Sequence, residues 1–164
     1  MWNQMRALVV AALMFVGATA IVRAQDFRQI GSFDNVRASQ SEDPHCYGHS
    51  LTLWAHGNRV IGLLDVHGGL CGDPPCTVLS DVSFQRGTGR LSFSAVIDTQ
   101  LRFEGTLRRD DVLGRLNGTR VRLERERDVI TLESDRSLAA WCRFWTAVGR
   151  CRGVRELCAT LGQS

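Results

Sequence analysis

The chain has 164 residues, 44% of them hydrophobic and 23% charged, with a formal net charge of +3. That length suits one packed domain, and the charge is too balanced to favour a nucleic-acid partner, whose phosphates reward a large positive excess. All 20 basic residues are arginine, and loss of Arg6 and Arg23 with an N-terminal leader would leave 18 arginines against 17 acids.

The first stretch, Met1 to Ala24, places Arg6 before the apolar run Ala7 to Val16 and ends on the small-residue sequence Val22-Arg23-Ala24. This is the order of a secretory signal peptide, with cleavage expected after Ala24 and no membrane span left afterwards. Behind such a signal, the even set Cys46, Cys71, Cys76, Cys142, Cys151 and Cys158 reads as a disulfide framework in an oxidising compartment, the bacterial periplasm or the exterior. Residues 25–45 are polar and weakly patterned and read as a loosely docked N-terminal arm holding at most one short strand; residues 46–164 form the domain.

The stretch from Leu51 to Val66 carries the strongest signal. Gly57-Asn58 suits a two-residue hairpin turn, which sets Ala55 opposite Val60, Leu53 opposite Gly62 and Leu51 opposite Leu64. The reverse face pairs Trp54 with Ile61 and Thr52 with Leu63 and is also apolar, so another layer must cover it. The following residues, His67 to Cys76, contain three glycines and two prolines and read as a loop excluded from the ladder.

A strand from Val78 to Phe84 is expected next, turning at Gly87-Thr88 to place Phe84 opposite Leu91, Val82 opposite Phe93 and Val78 opposite Ile97. Leu101, Phe103, Gly105 and Leu107 then alternate with polar residues, Asp110-Asp111 turns the chain, and Asn117-Gly118 joins Gly114 and Leu116 to Val121 and Leu123. A last strand is expected over Val129 to Leu132. The fold class is therefore mostly β: an antiparallel up-and-down meander of about seven or eight short strands closing into a small barrel, with a two-layer sandwich as the alternative.

The period changes at the C-terminus. Leu138, Trp141, Cys142, Trp145 and Val148, behind Ser134-Asp135, and then Val154, Leu157, Cys158 and Leu161 recur at helical spacing, so segment 137–161 holds two short amphipathic helices able to cover Trp54, Ile61 and Leu63. Three cysteines fall in each half of the framework, so full pairing requires one or three bridges between the halves. The expected pairing is Cys71 with Cys76, Cys142 with Cys158 and, by elimination, Cys46 with Cys151.

Three constellations could carry chemistry. Ser50 faces Asp65 with His67 one diagonal away, but a working triad needs the imidazole between hydroxyl and carboxylate, so no catalysis is expected. His45, His49 and His67 gather near the hairpin entrance without a metal-ligand motif, and neither a metal nor a cofactor is implied. Gly62, Gly105 and Gly114 sit among large inward side chains, which fits core packing or, in the alternative reading, an apolar ligand carrier. The functional expectation is a non-enzymatic exported binding module for another envelope or secreted protein. Its candidate binding residues are His49, His67 and the Gly72, Asp73, Pro74 and Pro75 lobe, because a preordered loop loses little entropy on docking.

Overall fold

The computed structural model describes residues 27–72, 74–127 and 132–162. The signal-peptide reading, Val129 to Thr131 of the expected last strand, and Asp73 of the lobe all lie outside the described residues. The elements are β1 (Phe27–Asp34), β2 (Arg37–Ala38), β3 (His45–His56), β4 (Arg59–Leu70), β5 (Cys76–Val78), β6 (Ser80–Gln85), β7 (Arg90–Val96), β8 (Gln100–Leu107), β9 (Asp111–Leu116), β10 (Thr119–Arg125), a 3-10 turn (Glu133–Arg136), α1 (Leu138–Val148), β11 (Cys151–Arg152) and α2 (Val154–Thr160). Leu132 belongs to no strand.

One sheet runs in the order β11-β5-β4-β3-β1-β10-β9-β8-β7-β6, with β2 paired to β3. It is neither a sandwich nor a closed barrel. The expected strand from Val78 to Phe84 breaks at Leu79: β5 pairs with β4, setting Val78 opposite Leu63 rather than Ile97, while β6 pairs with β7 and keeps Phe84 opposite Leu91. The chain passes at Leu79 from β5 near one end of the sheet to β6 at the other, and a bulge between Ser80 and Ser83, with Asp81 at φ 50°, follows. The Leu79 N–H donates to the Gly62 carbonyl at 2.9 Å, but no ladder joins β4 to β6, so the curled sheet stays open along that seam.

The hairpin register holds residue for residue, from Ala55 opposite Val60 to Ser50 opposite Asp65. The ladder also runs further than expected, since His67 to Leu70 are strand, paired with Gly48 back to His45. Glycine weakens a strand without forbidding one, and here β3 supplies a full row of partners. The segment read as a loosely docked arm contributes β1, an interior strand between β3 and β10. A register shift between Gln29 and Gly31 breaks its alternation, and the Arg125 guanidinium occupies the space a side chain at position 31 would need.

Curling gives two apolar layers. The inner face gathers Phe33, Leu51, Leu53, Leu64, Phe93, Phe103, Val112 and Leu123. Gly105 and Gly114 face each other there, and the Phe103 ring lies where their Cβ atoms would be; Leu79 and Leu53 fill the space over Gly62. The glycines thus make room for protein side chains. On the outer face Trp54, Ile61 and Leu63 are buried against Leu138, Trp141, Val154 and the two helices' cysteines. Trp54 meets Trp141 edge-on at 5.5 Å, and its indole N–H donates to Asp135 Oδ1 at 2.9 Å. The expected helical cover is therefore present, although its first helix starts later. Ser137 is the cap, its hydroxyl accepting from the Ala140 N–H, and Ser134-Asp135 form the preceding 3-10 turn.

The disulfides are Cys46–Cys71, Cys76–Cys151 and Cys142–Cys158. Cys142–Cys158 joins the two helices as expected, but the other two pairs differ. Extension of β4 to Leu70 brings Cys71 beside Cys46, their Cα atoms 4.9 Å apart, and parallel pairing of β11 with β5 sets Cys151 opposite Cys76. One bridge links the sheet to the C-terminal segment, as the parity of the cysteines requires.

Candidate functional site

The open end of the β3–β4 hairpin collects most of the candidate residues. Cys46 lies opposite Gly69 in the ladder, so Cys46–Cys71 staples the hairpin just beyond its last pair. The lobe from Cys71 to Cys76 is not closed on itself. Each stem is held by a different bridge, one to β3 and one to β11, so Gly72, Pro74 and Pro75 still sit on a fixed frame.

Strand alternation brings Tyr47 and Leu70 to one face here, the inner face carried past the end of the core. Both are apolar-bodied and both are exposed, Tyr47 at 55% and Leu70 at 71%. Tyr47 is the chain's single tyrosine, and its ring stacks on His45 with centroids 6.3 Å apart. A groove of about 300 Å³ runs beside Leu70, lined also by Val66, His67, Pro74, Pro75, Ile97 and Asp98 among others. The Arg152 guanidinium donates to the Ile97 carbonyl at 2.6 Å, which ties the β7–β8 turn to the stem of the lobe.

On the opposite face Ser50 and His67 approach, Oγ to Nε2, at 3.3 Å. Asp65 Oδ1 accepts from Arg150 Nη2 at 2.9 Å. The expectation that the carboxylate would meet the serine is thus corrected: arginine takes the carboxylate and histidine the hydroxyl, leaving the imidazole without the orienting acid a triad requires. Burial pushes the Asp65 carboxyl above its ordinary range, opposed by the charges of Arg150 and then His67.

His49 lies opposite Val66 on the inner face, away from His67, with its backbone N–H donating to Asn35 Oδ1. Burial and then His67 hold its pKa below the ordinary histidine value. The ladder therefore separates His49 and His67, two of the candidate binding residues, and no cluster of three or more His, Cys, Asp or Glu able to hold a metal forms among the described residues.

A second groove, of about 600 Å³, follows the open seam between Val60, Val82 and Phe84 and reaches Leu157 and Leu161 of the α2 end. Sequence reading missed this seam, because alternation runs unbroken through Leu79. It also missed Tyr47 and Leu70, which become visible only when the ladder is carried through Gly68 and Gly69.

Comparison of the chain with protein-family models, with curated proteins and with solved structures finds no match to any of them.

Proposed function

We propose that this chain is an exported, non-enzymatic binding module that docks another protein on the open end of the β3–β4 hairpin. The observation that carries this reading is the side-by-side exposure of Tyr47 and Leu70 on a strand pair stapled by Cys46–Cys71. Interface centres favour tyrosine and well-held apolar side chains, and a prepaid frame lowers the entropy lost on association. Three disulfides fit an oxidising compartment, and the proposed location is the periplasm or the exterior. No described helix is long and apolar enough to cross a membrane.

Affinity capture from envelope extract tests the reading. Wild type should recover a partner that the Tyr47→Ser/Leu70→Ser variant loses and that Pro74→Ala/Pro75→Ala retains more weakly. Equal recovery by all three would remove the docking surface from consideration. The seam groove favours a second reading, an apolar ligand carrier, since about 600 Å³ lies within the range of small-molecule sites. On that reading a bulky Val82→Trp substitution, not Tyr47→Ser, would abolish uptake of an apolar fluorescent probe.

A further inference from the structure

We infer that the open end recognises its partner through the partner's backbone, taking an extended peptide segment rich in apolar side chains as an added strand on the free edge of β4. This rests on the docking reading above and specifies its mode.

The alternation of ladder hydrogen bonds fixes which groups face outward. A two-residue turn makes His56 and Arg59 a hydrogen-bonded pair, so Val60, Gly62, Leu64, Val66, Gly68 and Leu70 direct their N–H and C=O groups away from β3. The bonds beyond the ladder agree: the Gly62 carbonyl accepts from Leu79, and the Val66 N–H donates to the Pro75 carbonyl. β5 covers this edge only from Leu63 to Asp65. Past Val66, the outward N–H and C=O groups of Gly68 and Leu70 have no partner among the described residues.

Exposed edges are ordinarily blunted by proline, by charge or by a covering segment. The stretch Val66-His67-Gly68-Gly69-Leu70 contains no proline, no acid and no arginine. A Cβ built on Gly68 or Gly69 would meet nothing within 4 Å, so neither face of the strand is covered at these positions. A groove of about 300 Å³ follows this edge, and Pro74, Pro75, Ile97 and Asp98 are among the residues that line it. A single extended segment is the occupant that meets the outward N–H and C=O groups of Gly68 and Leu70 in the pattern a ladder requires. Val66, Leu70, Pro74, Pro75 and Ile97 in the lining favour apolar side chains on the segment, beside His67 and Asp98, and the bare backbone supplies its register.

The test uses the full disulfide-bonded chain and a phage-displayed library of random seven-residue peptides. Enriched sequences are synthesised and measured against wild type, Gly68→Ala and Gly68→Pro. The alanine variant keeps the outward N–H and is the reference against which the proline variant is read. Proline removes a donor that β3 does not use, so the hairpin should persist while affinity falls by at least about tenfold. Amide exchange in the unmodified protein provides a measurement independent of any substitution: bound peptide should slow exchange at Gly68 and Leu70. Failure to enrich any peptide, equal affinity for Gly68→Pro, absence of protection at those amides, or protection arising instead from dimerisation would each overturn the edge mode. If capture of the envelope partner still depended on Tyr47 and Leu70, docking at this end would stand and only strand addition would fall.

Discussion

The inner face of the curled sheet takes Phe33, Leu51, Phe93, Phe103, Val112 and Leu123 from six strands and contains no cysteine. The outer layer is built from one stretch of hairpin, β5 and the C-terminal segment, and it includes Cys76, Cys142, Cys151 and Cys158. Inner residues are fixed by ladders on both sides of most strands, so backbone pairing and burial reinforce each other. Among the described residues, the cover's only sheet pairing is the two-residue pairing of β11 with β5, and two short helices cannot hold their own shape in water. Where hydrogen-bonded register is lacking, covalent links replace it. The Asp65–Arg150 ion pair and Cys76–Cys151 lie at the same junction, since Asp65 is opposite Cys76 and Arg150 precedes Cys151.

The largest expected effect breaks this comparison at the cover. Removing residues 137–164, with Cys76→Ser to avoid a free thiol, uncovers Trp54, Ile61 and Leu63, each worth about 1.5–3 kcal/mol of burial. Urea unfolding should report that loss, and tryptophan emission should shift to the red. An unchanged midpoint would mean the hairpin's outer face needs no cover. Within the inner layer, Phe103→Ala empties the space above Gly105 and Gly114 and should cost about 3–5 kcal/mol in the same unfolding measurement. Asp135→Ala leaves the buried Trp54 indole N–H without its acceptor, for a loss of about 1–3 kcal/mol.

The smallest effect concerns pH. The pKa of His49 is lowered from 6.5, first by burial and then by His67, so on acidification the unfolded chain takes up the proton before the native one does. Stability should therefore be unaffected by this group above the ordinary histidine pKa. It should fall as pH drops below that value, until the native pKa is passed. His56 shifts in the same direction, from burial and then Arg59, and adds to the slope. Comparing urea midpoints of wild type and His49→Gln across that range isolates the His49 share, because the variant should show the shallower decline.

Much of this was legible because it depends on local chemistry. Gly57-Asn58 and Asn117-Gly118 fixed two hairpins with their registers, and a doubly apolar hairpin demanded the helical cover that buries Trp54. What escaped depends on distant partners. β1 reads as an arm because Gly31 breaks its alternation, yet Arg125, far along the chain, fills that gap and donates to the Ile30 carbonyl at 3.0 Å. The bridges Cys46–Cys71 and Cys76–Cys151 follow from how far β4 extends and from the pairing of β11, neither of which cysteine spacing encodes. The proposed docking surface escaped for a similar reason, since Gly68 and Gly69 read as a loop until a full row of β3 partners makes them a strand.

Residue-resolved hydrogen exchange on the Cys76→Ser/Cys151→Ser variant tests most directly whether the core stands alone while the cover is tethered. Amides of Phe93, Phe103, Val112 and Leu116 should keep their protection while those across α1 and α2 lose theirs by an amount equivalent to about 2–4 kcal/mol, the usual contribution of such a bridge. Equal loss of protection in both layers would contradict that expectation, showing a single cooperative unit in which the disulfide supports core and cover alike.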